Sequence, residues 1–352
     1  MVAIRERLVP QLSSLPELTF GYRRIAIALE RTDDFKMDID PWSVFFRKVI
    51  RILSRNHLFT NKEVTEFGVG DGRNLEIIID DEGVPVKKLR GLDIAKDKIK
   101  KATSNLLNFI SREQLELEEA DVIDYLYNWR EQLVAGNKKP LEGVAIMCLP
   151  QAPHLNGHEQ TIADAYDLNG SRLKQFISEE WPPDWAHHME QHGLTLNAAV
   201  MELLHDVTTE DFRLVLILSN RLPIEVRENM IQQCGWLIEE KYMTADSTPV
   251  QQDPDTVISW VSENGIDDGR RFFERIEIPD SDEVVYAPIS AEVAETRRLL
   301  ARKKAAEEEL RTGQKVDARK FLNVYHHLSI YVVKRNGAVE SQTGMFDQQR
   351  AA

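Results

Sequence analysis

The stretch Glu63-Val64-Thr65-Glu66-Phe67, running into Gly68-Val69-Gly70-Asp71-Gly72 and then Asn74-Leu75-Glu76-Ile77-Ile78-Ile79, constrains the fold more than any other. A short strand, a turn with glycine at every second position and an apolar helical run make the opening of a βαβ unit. The segments that follow repeat the pattern. Residues 88–93 read as a second strand ending in an acid, and residues 95–109 as a helix with Ile99, Ala102, Leu106 and Phe109 on one face. Residues 115–118 lead to Asp121, residues 122–135 form a helix, and residues 143–148 a buried strand. Three repetitions of strand then helix predict an α/β fold built on a parallel sheet.

The rest of the chain is arranged around that unit. An amphipathic helix is predicted over 41–58, where Trp42, Phe45, Phe46, Val49, Ile50 and Leu53 recur at helical intervals between Arg47, Lys48 and Arg51. After residue 148 the alternation stops for about sixty residues with three helical pieces, too long for a plain connector. It resumes with the run Leu214-Val215-Leu216-Ile217-Leu218, the clearest central strand, and a helix over 226–234. Residues 236–243 and 257–263 alternate as antiparallel strands would, 291–312 is a charged helix, and 327–334 is another strand. The expected division is an N-terminal helical cap (1–60), a core (61–264) with 151–210 as lid and substrate element, a helix-strand extension (265–336) and a tail (337–352).

Composition removes several classes. With 44 Lys and Arg against 58 Asp and Glu the net charge is -14, which repels the phosphates that a nucleic-acid binder must neutralise and disfavours anionic membranes. Cys148 and Cys234 are too few for a disulfide framework and lack zinc-ligand spacing, so a reducing cytoplasm is expected. No apolar run reaches the roughly eighteen residues that span a bilayer. The pairs His187-His188 and His326-His327 lack a complementary ligand cluster, so no metal is expected.

The glycine spacing G-x-G-x-G departs from the G-x-G-x-x-G of dinucleotide loops. Glu66 would oppose a pyrophosphate at this strand end but suits an ammonium group or hydroxyls. Asp93, 23 positions after Gly70, stands where wound sheets place the carboxylate that takes ribose hydroxyls. Asp121, after the third strand, can accept from an adenine amino group. All three acids end strands that open on one crevice.

These motifs resemble those of class I S-adenosylmethionine-dependent methyltransferases, with EFGVGDG, LRGLDI and EADVIDY as the first, second and third. The resemblance implies a Rossmann-like seven-stranded sheet and S-adenosylmethionine as cofactor, leaving as S-adenosylhomocysteine. It implies that Glu66, Gly68, Gly70 and Gly72 surround the methionine part, Asp93 with Ile94 the ribose, and Asp121 with Val122 the adenine, with Cys148 at the next strand end. The tetrapeptide Cys148-Leu149-Pro150-Gln151 is similar to the Cys-Ile-Pro-Gln of methionine S-methyltransferases, both the plant N-terminal domain and the bacterial enzymes of dimethylsulfoniopropionate synthesis. GLTLNAAVMELLHD, SNRLP and DPDTVISWVSENGIDDGRRFFE follow in the same order. The resemblance covers about 64–274.

A thioether acceptor has no proton to lose, so it needs an in-line approach rather than a base or a metal. Pro150 and Gln151 are the orienting candidates. Tyr166, Trp181, Trp185 and Tyr242 could wall the sulfonium. Arg221 could take an acceptor's carboxylate, and Gln151 or Asn156 its ammonium. A nitrogen acceptor instead asks for a base, for which Asp164, His154 and His158 are candidates. Three readings stay open: S-methylation of free methionine, N-methylation of a small amine or a peptide side chain, and cofactor binding without turnover by a partner subunit. Val293, Leu299 and Leu300 dock the charged helix on the core or on a second copy, which leaves a homodimer open.

Overall fold

The computed structural model describes residues 22–25, 41–81, 83–149, 171–245, 249–252, 272–278 and 284–336. In chain order the main elements are β1 (Arg23–Ile25), α1 (Pro41–Arg55), β2 (Glu63–Phe67), α2 (Arg73–Glu76), β3 (Lys88–Asp93), α3 (Lys96–Leu106), β4 (Leu115–Glu119), α4 (Val122–Val134) and β5 (Val144–Met147). There follow α5 (Ser171–Glu180), α6 (Pro183–Gln191), α7 (Thr195–Val207), β6 (Arg213–Ser219), α8 (Ile224–Gln233), β7 (Trp236–Thr244) and β8 (Val250–Gln251). The last are β9 (Phe272–Glu277), β10 (Val284–Ile289), α9 (Ala291–Thr312), β11 (Tyr325–His326) and β12 (Leu328–Arg335).

The chain divides into two compact units. The first draws on Ile50–Ile217, Glu228–Glu240 and Tyr331–Ala352, and the second on Met1–Val49, Leu218–Arg227 and Lys241–Ile330. In the first, β2 pairs in parallel with β3 and β5, β3 with β4, and β5 with β6. Val64, Thr65, Glu66 and Phe67 are all buried, as a central strand covered on both faces requires. That is why this run shows no polar alternation and why its one carboxylate matters. Helix α7 buries Ala198, Ala199, Val200, Met201, Leu203, Leu204 and Val207 and packs on α4. Directly after α2 the backbone widens into a π-helix over Ile77–Asp81.

The strand order is β1-β7-β12-β6-β5-β2-β3-β4. The amide of Asn220, just past β6, bonds the carbonyl of His327, just before β12, at 2.9 Å. Asn336, just past β12, bonds the carbonyl of Gly235, just before β7, at 2.9 Å. Strand β12 therefore runs against both neighbours, one reversed strand in an otherwise parallel sheet. The sequence places this strand in an extension after residue 265; in the sheet it lies between β6 and β7. An eighth strand, β1, adds to the expected seven and pairs in parallel with β7, Arg23 opposite Tyr242.

The second unit carries an antiparallel sheet of order β10-β9-β11-β8, with Tyr286 opposite Arg275. Helix α9 starts at Ser290, whose side chain accepts from the Val293 amide, and turns its small residues Ala291, Ala294, Ala301 and Ala305 inward. Val293, Leu299 and Leu300 lie on its exposed side, so docking falls to the alanines. Residues 257–263 and the tail 337–352 lie outside the described residues. Among the described residues, no helix is long and apolar enough to cross a membrane.

Candidate functional site

The loop between β2 and α2 is held from β3. The amides of Gly68 and Val69 both donate to the carbonyl of Leu92 at 2.9 Å. The amide of Gly70 donates to Oδ2 of Asp93 at 2.8 Å, and the amide of Ala95 to Oδ1 of the same carboxylate at 2.9 Å. Asp93 thus ties the glycine loop to the start of the next helix. Gly72, at φ +84°, leaves room where a Cβ would lie 3.2 Å from Ala102 and Leu106 of α3. Gly70, at φ +54°, has no atom within 4 Å of the place a Cβ would take. Its backbone is open to close approach by a ligand.

Behind the loop stands Glu66, with no exposed surface. Its Oε1 accepts from Nδ2 of Asn74 at 2.6 Å, and its Oε2 has no hydrogen-bond partner. Burial pushes the carboxyl up to about 8, helped by the negative charges of Asp71 and Asp93 and opposed by the Asn74 hydrogen bond. A buried carboxylate oxygen without a partner is costly unless something satisfies it, and a cation does so best. The donor set therefore fits the ammonium end of an amino-acid-bearing cofactor. Asn74 escapes a reading of the sequence; the available signal was a polar side chain two residues past the last loop glycine, facing the buried acid.

Asp121 caps α4, its Oδ1 accepting from the amides of Ile123 at 2.7 Å and Asp124 at 3.1 Å. The amide of Ala120 bonds the carbonyl of Asp93 at 3.0 Å, which brings the ends of β3 and β4 together. Ile94 is 39% exposed beside Asp93, and Val122 opens α4. Cys148, half-buried past β5, has its carbonyl 3.6 Å from the position of a Cβ on Gly68. Glu66, Gly68, Gly70, Gly72, Asp93, Ile94, Asp121, Val122 and Cys148 thus all belong to the first unit at the carboxyl ends of β2 to β5.

The acceptor candidates are dispersed. Pro150, Gln151, Asn156 and Tyr166, with His154, His158 and Asp164, lie outside the described residues. Arg221 and Tyr242 belong to the second unit. There the Arg221 guanidinium donates from Nε to Oγ of Ser219 at 3.0 Å. Tyr242 has no exposed surface, and its hydroxyl accepts from Arg23 at 3.4 Å.

The two tryptophans expected to line a sulfonium have another task. Trp181 and Trp185 donate their indole N–H groups to Glu202 at 2.6 and 3.3 Å, pinning α6 and the turn before it to α7. Burial raises the Glu202 carboxyl to about 7 and the neighbouring Cys234 thiol well above its usual value. A lone Glu among Met201, Leu203 and Leu204 was the sequence signal for this contact. Glu66 and Glu202 both sit above the ordinary 4.5, so their stabilisation is complete below pH 4.5 and is lost as pH rises through about 7 for Glu202 and about 8 for Glu66. Thermal unfolding of the apo-protein should accordingly show stability declining between about pH 6.5 and 8, above the range in which the desolvated, neutral His205, His326 and His327 add stability as pH rises. Glu66→Gln and Glu202→Gln should each flatten that decline, and a variant tracking wild type at every pH would contradict the assignment.

Burial holds His326 and His327 neutral, at about 3 each. His326 donates from Nδ1 to the His327 carbonyl at 2.9 Å, and His327 Nδ1 lies 2.9 Å from the Thr244 hydroxyl. Among the described residues no group of three or more His, Cys, Asp or Glu side chains could hold a metal ion.

No family model and no curated protein matches the chain. Solved structures similar to it include an S-adenosylmethionine-dependent methyltransferase from Geobacter sulfurreducens in complex with S-adenosylhomocysteine, at 11% identity and TM-score 0.38, covering 82% of this chain and 90% of that one. A second, from Thiobacillus denitrificans and also in complex with S-adenosylhomocysteine, aligns at 12% identity and TM-score 0.36 over 82% of this chain and 90% of that one. The magnesium protoporphyrin IX methyltransferase of Synechocystis, with bound S-adenosylmethionine, aligns at 12% identity and TM-score 0.35 over 60% and 80%. Likeness at this level does not extend to substrate or activity.

Proposed function

We propose that this chain is an S-adenosylmethionine-dependent methyltransferase. The observation that carries the reading is the buried Oε2 of Glu66, without a partner, behind the open backbone of Gly70 in a loop fixed by Asp93. Glu66 would receive the cofactor's ammonium, Asp93 its ribose hydroxyls, and Asp121 with Val122 its adenine. Bound there, the cofactor supplies an activated methyl on a sulfonium. The chain's part is to hold the donor rigidly, exclude water and present the acceptor in line, since orientation supplies most of the rate when no proton need move.

The acceptor we favour is the sulfur of free methionine, giving S-methylmethionine. That choice rests on the likeness of Cys148-Leu149-Pro150-Gln151 to methionine S-methyltransferases, with 151–210 as the acceptor element. The test is mass spectrometry of the purified protein with methyl-labelled cofactor and free methionine, beside a control lacking acceptor. Labelled S-methylmethionine accumulating over many turnovers, with a rate at saturating cofactor nearly flat in pH, is the expected result. Product on an amine, at a rate rising as the nitrogen deprotonates, would move the acceptor. Cofactor binding with no product on any acceptor would leave a non-catalytic partner subunit.

A further inference from the structure

We propose that Asn74 is a positioning residue for the cofactor: by holding Oε1 of Glu66 it leaves Oε2 as the oxygen for the cofactor's ammonium, and cofactor binding expels the proton that Glu66 carries in the empty site. The inference rests on the cofactor reading above and goes beyond it, because it assigns a role to a residue outside the motif and a proton to the binding step.

The geometry leaves few alternatives. Glu66 is fully buried in the central strand, and its register neighbours, Gly91 on β3 and Ile146 on β5, carry no charge. The charged groups acting on it are Asp71 in the loop and Asp93 at the end of β3, both negative. Lys101 of α3 lies 3.3 Å from Asp71 on the exposed side. Asp93 has both oxygens occupied by the amides of Gly70 and Ala95. Among the described residues no cation is therefore positioned to keep Glu66 ionised before the cofactor arrives, and burial favours the neutral acid. When an ammonium arrives, the balance reverses: the O–H bond at Glu66 breaks, the proton passes to solvent, and carboxylate and ammonium form a charge-assisted pair. The side-chain amide of Asn74 donates to this carboxyl at 2.6 Å, and it acts in both states. It fixes which oxygen carries the proton and favours the ionised form. The π-helix that begins at Ile77 follows directly on the short helix bearing Asn74.

The experiment is calorimetric titration of the full chain with S-adenosylhomocysteine, which bears the ammonium but no transferable methyl, in two buffers of unlike ionisation enthalpy at pH 6.5. Wild type should release close to one proton per ligand, and its affinity should rise almost tenfold per pH unit between pH 6 and 7. An analogue lacking the α-amino group should release none. Glu66→Gln should bind with no proton release and a flat profile. Asn74→Leu should bind roughly tenfold more weakly, and its affinity should level off at a higher pH than wild type.

Tight wild-type binding without proton release would overturn the inference, as would an Asn74→Leu variant with wild-type affinity and pH profile; either leaves the cofactor reading standing. Failure of wild type to bind S-adenosylhomocysteine or S-adenosylmethionine at any pH would overturn both. Should Asn74→Leu not fold, the wild-type proton count and the des-amino analogue decide.

Discussion

Asp93→Ala should cost about 2 to 4 kcal/mol of cofactor affinity, roughly thirtyfold to a thousandfold, in a titration with S-adenosylhomocysteine. The side chain serves two ends at once. On the proposed reading it takes ribose hydroxyls, and its two oxygens already accept from the amides of Gly70 and Ala95 at 2.8 and 2.9 Å. Removing it frees the glycine loop that the cofactor must lie against, so loss of a contact and loss of preorganisation add. Asp93→Asn keeps one acceptor oxygen and the side-chain volume, and should fall between wild type and alanine. Wild-type affinity in the alanine variant would mean that the crevice lies elsewhere.

Gly143→Ala should be the most damaging small substitution to stability. Gly143 precedes β5 at φ +92°, and a Cβ there would stand 2.1 Å from the carbonyl oxygen of Glu63 and 3.0 Å from its backbone nitrogen. These are main-chain atoms at the start of β2 and cannot swing aside as a side chain would. Backbone strain alone costs on the order of 1 to 3 kcal/mol, and relieving the collision means separating β5 from β2. A loss of about 4 kcal/mol or more, seen as a fall of ~5 °C or more in thermal unfolding, is expected. Gly136→Ala is the control, since at φ +74° it shares the positive φ but nothing lies within 4 Å of its Cβ position. Equal losses at the two sites would show that strain, not collision, sets the cost.

The sequence made local features plain and concealed those made by distant pairing. Strands β2 and β3 fall on the predicted residues because a glycine loop or a terminal acid marks each end, and α9 does so because Ser290 and Gly313 cap it. Glu66, Asp93 and Asp121 are legible as acids because each stands at or near the end of a strand. Strand β1, three residues long, offers no period to read. Strands β9 and β10 show no clean alternation, because Phe272 and Phe273 are both buried ahead of a mostly charged run and because β10 contains Pro288. Nothing local in Leu328–Arg335 states which strands it will join. Trp181 and Trp185 look like a ligand wall in a sequence, because the indole N–H that commits each to Glu202 becomes apparent only when α7 lies beside them. The role of Asn74 is hidden for the same reason: its partner is a buried acid eight positions earlier.

The place of β12 has a consequence for how the chain comes together during synthesis. Strand β6 and strand β7 emerge from the ribosome more than eighty residues before the strand that lies between them. Until Leu328–Arg335 is made, the edge of β6 along Leu214-Val215-Leu216-Ile217-Leu218 has no neighbour on that side, and it carries five consecutive buried apolar residues. Closing a loop of that length is slow compared with pairing nearby segments, and an apolar edge left open in the interval invites pairing between chains. The parallel half of the sheet, with its glycine loop, can form first and wait. A strand made late thus closes the sheet, and a chain cut short before it would keep the crevice residues yet expose an apolar edge prone to aggregate.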